Sequence, residues 1–282
     1  MNKELIERLK LATVAIGYAV PPRKLPHNPK GVPEWIGTGF LAGERKWVIT
    51  CRHVMEGNKQ YRVEGDVRKP LRSYMFRSDP DKCRILGLPV TKWWVIEDLH
   101  LESTHFLKDP LDVARLQLDT EEWFKSVDSE GLPSLEVERD FSCDVGEEVV
   151  VVGYPSPAYL IAQRSGEPNS LGALFQFGRI AGILPTSTFP LPHLLALDIT
   201  AVHGSSGSPV VRVSDGKVIG IVTELLPALT TMQTVPQFDD KGHIVGLNII
   251  PYPIPGGVSF ALPSNFFAEF ATQTEGGKIV NF

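Results

Sequence analysis

Short apolar runs, most of them bounded by turn residues, repeat along the chain from residue 11 onward. Several alternate apolar and polar positions and none carries a long helical period, which is typical of β-strands. The strand-like runs lie at residues 11–20, 36–42, 46–51, 60–67, 84–90, 92–97, 111–118, 147–155, 173–184, 194–202, 209–213 and 217–223. Many short strands joined by turns predict an all-β fold, either a barrel or a sandwich pair.

Two short helices are expected to flank the strands. Residues 2–10 carry apolar side chains at helical spacing, which predicts an amphipathic helix. A second helix is expected at about 264–273, where Ser264 can cap the first turn. The stretch 128–145 is polar and rich in turn residues, so it divides the chain into two halves.

Composition and charge exclude several classes of function. The net charge is −5 and the basic residues are scattered, so no nucleic-acid surface is indicated. Glu4 and Glu7 disrupt the basic start of a signal peptide, and no apolar run approaches the roughly 18 residues of a membrane span. The three cysteines, Cys51, Cys83 and Cys143, have no CxxC spacing, which argues against disulfides and zinc. We expect a cytoplasmic protein with no metal, no cofactor and no membrane association.

The run GSSGS at 204–208 lies between two apolar runs. By itself such a run is only a turn, because Gly and Ser accept conformations that other residues resist. Its serine Ser206 becomes a nucleophile if a base lies within hydrogen-bond reach and a third group orients that base. Among seven histidines, His53 follows a compact strand, and Asp112 begins another. Taken singly, each of these residues is better explained as an ordinary turn, core or surface residue.

Three segments together resemble the signature segments of trypsin-like serine proteases, most closely those of the HtrA-like branch. GTGFLAGERKWVITCRHV is similar to G-S-G-F followed by T-x-x-H, which implies that His53 is the general base. LDVARL is similar to the family's acidic segment, which implies that Asp112 orients the base. GSSGSP is similar to G-N-S-G-G-P, which implies that Ser206 is the nucleophile. VVVVGYP and VSFALPSNF extend the resemblance, which runs from Trp35 to Phe267.

The resemblance implies one protease domain over residues 1–282, with two six-stranded β-barrels at about 11–127 and 146–263 and short terminal helices. It also implies a serine endopeptidase that hydrolyses a protein or peptide substrate through an acyl-enzyme. The backbone N–H groups of Gly204 and Ser206 would form its oxyanion hole. No PDZ domain is expected after the protease region.

The resemblance also bears on activation and specificity. Position 205 is Ser where digestive trypsins carry Asp, so we expect no activation by a newly freed N-terminus. Thr200 stands at the position resembling the base of the primary pocket, and an uncharged residue there disfavours Arg or Lys substrates. Thr223, Glu224 and Leu225 resemble the segment that pairs with the substrate main chain. Leu225 favours small or medium apolar side chains before the scissile bond.

Other interpretations fit the same residues. A catalytically silent protease fold that binds a partner is one, and an esterase that uses the same triad is another. An α/β-hydrolase does not fit, because its order is Ser, acid, His and it needs a G-x-S-x-G elbow. The segment 224–256 is either a long surface hairpin or a lid or docking element for a regulatory protein. The loop 155–172 can likewise shape the cleft or bind such a partner.

Overall fold

The computed structural model describes residues 2–18, 34–43, 47–56, 71–77, 84–96, 111–118, 133–155, 172–184, 194–238, 244–272 and 278–280. Within these ranges the chain is mostly β, as the apolar pattern predicts. The helices are α1 (Lys3–Ala12), α2 (Arg52–Glu56) and α3 (Ala268–Thr272), with a 3-10 turn at Ser264–Phe266. The strands are β1 (Thr13–Tyr18), β2 (Glu34–Ala42), β3 (Trp47–Thr50), β4 (Leu71–Arg77), β5 (Arg84–Val95), β6 (Ala114–Leu118), β7 (Glu148–Gly153), β8 (Leu174–Leu184), β9 (Leu194–Leu197), β10 (Pro209–Arg212), β11 (Val218–Phe238), β12 (Ile244–Pro263) and β13 (Lys278–Val280).

The two predicted helices differ in how their first turns are capped. The Asn2 side chain accepts a hydrogen bond from the Leu5 N–H at 2.8 Å, which caps α1. Ser264 does not act as the cap that the sequence suggested. Its hydroxyl is buried and has no hydrogen-bond partner among the described residues. None of the helices in the described ranges is long and apolar enough to cross a bilayer.

The N-terminal strands form a seven-stranded sheet in the order β13-β5-β4-β1-β2-β3-β6. The long strand β5 pairs with β4 along its first half and with β6 along its second half, so the sheet curves back on itself. This unit corrects the expectation of a second closed six-stranded barrel. It is a seven-stranded sheet in which β5 also pairs with β6, and the C-terminal strand β13 adds to residues 93–95 of β5.

The C-terminal strands form the closed six-stranded barrel that was expected, in the order β10-β11-β12-β9-β8-β7. The four consecutive valines of β7 are buried on both faces of the strand. Val149 and Val151 pack in the core of the barrel, whereas Val150 and Val152 join the larger core that includes the N-terminal sheet. This two-sided burial explains why the run is continuously apolar and does not alternate.

A long antiparallel hairpin extends from the barrel. Its register runs from Glu224 opposite Phe260 to Phe238 opposite Ile244. Beyond Leu225, β11 and β12 pair only with each other among the described strands. The described parts of the segment 224–256 therefore pair as a hairpin, and its role as a lid or docking element stays a prediction. Residues 239–243 and most of the loop 155–172 lie outside the described residues.

A buried arginine joins the C-terminal helix to the N-terminal sheet. Arg115 on β6 is 1 % exposed, and its guanidinium donates to the Phe270 carbonyl at 2.9 Å. Its Cζ lies 4.8 Å from the ring centroids of Trp47 and Phe270 and 5.0 Å from that of Trp94. Aromatic faces stabilise a desolvated cation, so Arg115 fixes α3 against β3 and β5.

Candidate active site

Strand register brings His53 and Asp112 together. β3 pairs antiparallel with β6, with Thr50 opposite Ala114. His53 lies just after Thr50, in α2, and Asp112 lies just before Ala114. Because the end of one antiparallel strand faces the start of its neighbour, both side chains lie at the same edge of the sheet.

Asp112 contacts His53 through both carboxylate oxygens. Oδ2 lies 2.7 Å from His53 Nδ1, and Oδ1 accepts from the His53 backbone N–H at 2.9 Å. The carboxylate side chain is 19 % exposed and the imidazole is 48 % exposed, so the acid is the sheltered partner. A carboxylate acceptor keeps the ring proton on Nδ1 and leaves Nε2 free to accept another proton. An imidazole held in this way can act as an oriented general base.

Ser206 lies in the loop between β9 and β10, next to a tight turn. The Ser205 N–H donates to the Val202 carbonyl at 2.9 Å, which closes the turn. Gly204, at the third position, has a φ of +91°, a left-handed value that favours glycine. The buried Ser205 hydroxyl accepts from the Val202 N–H at 3.2 Å, so it stabilises the same turn.

The same loop leaves two backbone donors free. Gly207, which follows Ser206, donates its N–H to the Val222 carbonyl at 2.8 Å. Neither the Gly204 N–H nor the Ser206 N–H donates a backbone hydrogen bond to any described residue. Two neighbouring N–H groups without partners can stabilise a developing oxyanion.

One carbonyl joins the Ser206 loop to the His53 segment. Val222 O accepts from the Gly207 N–H at 2.8 Å and from the Cys51 thiol at 3.1 Å. Gly207 is the residue after Ser206, and Cys51 lies two residues before His53. A single acceptor therefore fixes both segments at the junction of the two halves of the fold.

Close packing at Gly37 brings the same two segments together. A Cβ at this position would lie 2.7 Å from the Val54 side chain and 3.2 Å from the Ser206 carbonyl oxygen. Val54 directly follows His53. Only a residue without a side chain fits between them, because real Cβ atoms do not approach neighbours so closely.

Comparison with protein families agrees with this geometry. Residues 37–221 match the family described as "Trypsin-like peptidase domain". The chain belongs to this family. The matched range includes His53, Asp112 and Ser206, and family membership indicates a hydrolase with serine protease activity. A comparison with curated proteins gives no match.

In this trypsin-like peptidase domain, the residues expected to bind substrate lie beside the Ser206 loop or on β11. Thr200 is exposed, and its carbonyl accepts from Gln176 Nε2 at 2.8 Å. Thr223 is half-buried in β11. The backbone of Glu224 and Leu225 continues β11 opposite β12. The binding roles of these four residues stay predictions.

Cys51 lies close to the His53–Asp112 pair. Its Sγ, a ring nitrogen of His53 and a carboxylate oxygen of Asp112 all lie within 4.8 Å of one another. Burial of the thiol and, second, the Asp112 carboxylate raise the pKa of Cys51 well above its usual range. A cysteine binds a metal only as the thiolate, and a histidine only through a free imidazole nitrogen. The thiol is protonated and bonded to Val222, and His53 Nδ1 faces the carboxylate, so this donor set fits a metal poorly.

Sequence reasoning missed Thr38, which contacts the Ser206 loop twice. Its backbone N–H donates to the Ser206 carbonyl at 2.9 Å, and its hydroxyl donates to the Gly204 carbonyl at 2.8 Å. The available signal was its place as the second residue of GTGF, the motif that accompanies the His53 segment.

Proposed function

We propose that the chain is a serine endopeptidase with Ser206 as nucleophile, His53 as general base and Asp112 as the group that orients the base. The observation that carries the proposal is the double contact of Asp112 with His53, at 2.7 and 2.9 Å, in a member of the trypsin-like peptidase family. A sheltered carboxylate that holds the backbone and the ring of one histidine fixes both its position and its tautomer.

In the proposed reaction, Ser206 Oγ bonds to the peptide carbonyl carbon while its proton passes to His53 Nε2. The tetrahedral intermediate then breaks its C–N bond, and His53 returns the proton to the leaving amine. Water attacks the resulting ester with the same base, which releases the acid and restores the Ser206 hydroxyl. Asp112 stays ionised throughout and stabilises the imidazolium.

The N–H groups of Gly204 and Ser206 are proposed as the oxyanion hole. The geometry that favours this role is the tight turn at 202–205, with Gly204 at a φ of +91°. Each donor of such a pair contributes about 10²–10³ in rate, because it is aimed before the reaction at the oxygen that gains charge.

Substrate is proposed to add as a strand along Thr223, Glu224 and Leu225. β11 pairs with β10 only as far as Ile221, and beyond it no described strand pairs with that edge of β11. A free edge accepts the main chain of an extended peptide. An uncharged Thr200 and an apolar Leu225 favour small or medium apolar residues before the scissile bond.

Finer assignments stay proposals of the same kind. The GTGF segment and the serine at position 205 favour the HtrA-like branch of the family. The hairpin 224–256 and the loop 155–172 are proposed as docking elements for a regulatory protein. A cytoplasmic location stays a prediction.

Covalent labelling and turnover test this proposal together. The wild-type protein is treated with a fluorophosphonate and then assayed on a mixed peptide library and on simple esters. We expect labelling, peptide cleavage after apolar residues, and loss of both in Ser206→Ala. The matched control is Ser214→Ala, which removes an exposed hydroxyl from the turn after β10 and is expected to change neither.

The other outcomes identify the alternatives. A folded wild-type protein that is not labelled would be a silent protease fold, and the proposal would fail. Labelling with ester turnover but no peptide cleavage would identify an esterase. Cleavage mainly after Arg or Lys would refute the proposed specificity while leaving the triad in place.

A further inference from the structure

We infer that Thr38 is a positioning residue for the oxyanion hole, with a hydroxyl that fixes the peptide after Gly204. The inference rests on the proposed function and adds a residue that acts through the loop and does not touch the substrate. Thr38 lies on β2, in the N-terminal sheet, whereas the loop belongs to the C-terminal barrel.

Thr38 donates two hydrogen bonds to carbonyls on either side of Ser205. The backbone N–H bonds the Ser206 carbonyl at 2.9 Å, and Oγ1 bonds the Gly204 carbonyl at 2.8 Å. Any residue other than proline supplies the first bond. The second bond needs the hydroxyl of a threonine or a serine, so the side chain provides a contact that the strand backbone does not.

The direction of the Thr38 hydroxyl proton is determined by its surroundings. Oγ1 accepts the Tyr154 N–H at 2.9 Å, and Thr38 is 0 % exposed. A hydroxyl has one proton to donate, and water does not compete for it here. Because the Tyr154 N–H already donates to Oγ1, the hydroxyl proton of Thr38 is donated to the Gly204 carbonyl.

That bond fixes the peptide that lies between the two proposed oxyanion donors. In a trans peptide the C=O and N–H point in opposite directions. Holding the Gly204 carbonyl toward Thr38 therefore turns the Ser205 N–H away, toward Val202, where it is bonded at 2.9 Å. Because this peptide is bonded at both its C=O and its N–H, the backbone torsions of Gly204 and Ser205, which orient the Gly204 N–H and the Ser206 N–H, are restrained.

Two further contacts hold Thr38 in place. The Thr38 carbonyl accepts from the Thr50 hydroxyl at 2.7 Å, and Thr38 stands opposite Ala15 in the β1–β2 pairing. Thr50 ends β3, the strand that precedes His53. Thr38 is therefore hydrogen-bonded both to the loop that contains Ser206 and to the last residue of the strand that precedes His53.

Three variants test this inference. Thr38→Val keeps the shape and the backbone N–H but removes the hydroxyl, whereas Thr38→Ser keeps the hydroxyl. Ser259→Ala is the matched control, because the buried Ser259 hydroxyl also accepts one backbone N–H, from Ala201, and donates to one carbonyl, of Ile199. Peptide hydrolysis gives kcat and KM, and thermal unfolding gives the stability of each variant.

For Thr38→Val we expect kcat to fall about 10–100-fold with KM changed less than about threefold, because the contact acts on the oxyanion donors. A peptidyl boronate, which imitates the transition state, should bind more weakly by a similar factor, while a product peptide should bind as before. Thr38→Ser should restore kcat to within about threefold of wild type, and Ser259→Ala should lower the Tm without this kcat loss.

Several results would overturn the inference. One is a Thr38→Val protein whose kcat per folded molecule is within about threefold of wild type. Another is a Ser259→Ala protein that loses as much kcat for the same drop in Tm, which would make the effect merely structural. If the wild type hydrolyses no peptide, the proposed function fails and this inference fails with it. If the wild type is active and Thr38→Val is equally active, only this inference fails.

Discussion

Asp112→Asn changes the group that faces the His53 ring and leaves the rest of the contact in place. The asparagine Oδ1 can still accept the His53 backbone N–H, which the carboxylate accepts at 2.9 Å. The second oxygen, 2.7 Å from Nδ1, becomes an NH₂ group that donates where the carboxylate accepted. The imidazole proton then moves to Nε2, and a protonated Nε2 cannot accept the Ser206 proton.

Two losses set the size of the effect. Unit charges about 4 Å apart interact by about 4 kcal/mol at an effective dielectric constant of about 20, and that dielectric is reasonable for a carboxylate that is 19 % exposed. Losing this stabilisation of the imidazolium slows the reaction about 10³-fold. The wrong tautomer adds to the loss, so kcat should fall about 10³–10⁴-fold at neutral pH.

Peptide hydrolysis measured from about pH 6 to about pH 10 tests this prediction. We expect the loss to be largest near neutral pH and smaller in alkali, where hydroxide can replace the base. Asp144→Asn is the control, since it removes an equal charge from an exposed residue before β7 and should leave kcat unchanged. A folded Asp112→Asn protein that loses less than about tenfold in kcat would refute the proposed role of Asp112.

Three further predictions concern stability. Ser208→Ala should raise the free energy of unfolding by up to about 1 kcal/mol, because the buried Ser208 hydroxyl has no partner among the described residues. A clear decrease of the unfolding free energy, measured by chemical denaturation, would contradict this. Asp215→Asn should weaken the loss of stability in acid. The hydrogen bond from Arg212 lowers the pKa of Asp215 in the folded protein, so the ionised carboxylate stabilises the fold above the pKa of the unfolded chain. This stabilisation is lost as the pH falls through the lower pKa of the folded state. If the free energy of unfolding falls equally with acid in both proteins, the prediction is wrong. Arg115→Lys should lower the unfolding free energy by about 2 kcal/mol, because a compact ammonium cannot stack on three rings as a guanidinium does; an unchanged Tm would exclude this.

The parts of the site that follow from local sequence were predictable. His53 and Asp112 each adjoin a strand with a clear apolar pattern, and the antiparallel pairing of those strands brings them together. The small residues at 204–208 likewise predict a tight turn before a strand, and the turn at Gly204 has the left-handed φ that glycine permits. Such features depend on a few neighbouring residues, so the sequence carries them directly.

Features that depend on tertiary contacts were not predictable. The strand β13 is three residues long, so no periodicity announces the seventh strand of the N-terminal sheet. Arg115 occupies a strand position that is polar in sequence yet buried, because three aromatic rings from distant segments surround it. Thr38 reads as an ordinary β-forming residue, and only the fold brings its hydroxyl to the Gly204 carbonyl.

The hairpin of β11 and β12 was ambiguous in sequence for a different reason. Its strands contain several prolines, including Pro227 opposite Pro255, and proline cannot donate to a strand ladder. By local sequence alone, these prolines favour an irregular segment as readily as two paired strands. The pairing of the two strands over most of their length overrides that local signal.

The most direct test of the central claim is the position of the covalent intermediate. The protein is mixed with an excess of an activated ester, quenched in acid, digested and mapped by mass spectrometry. The account predicts a burst of one product per active site and an acyl group on the peptide that contains Ser206, both absent in Ser206→Ala. Absence of a burst from folded wild-type protein, or an acyl group on a different residue, would contradict it.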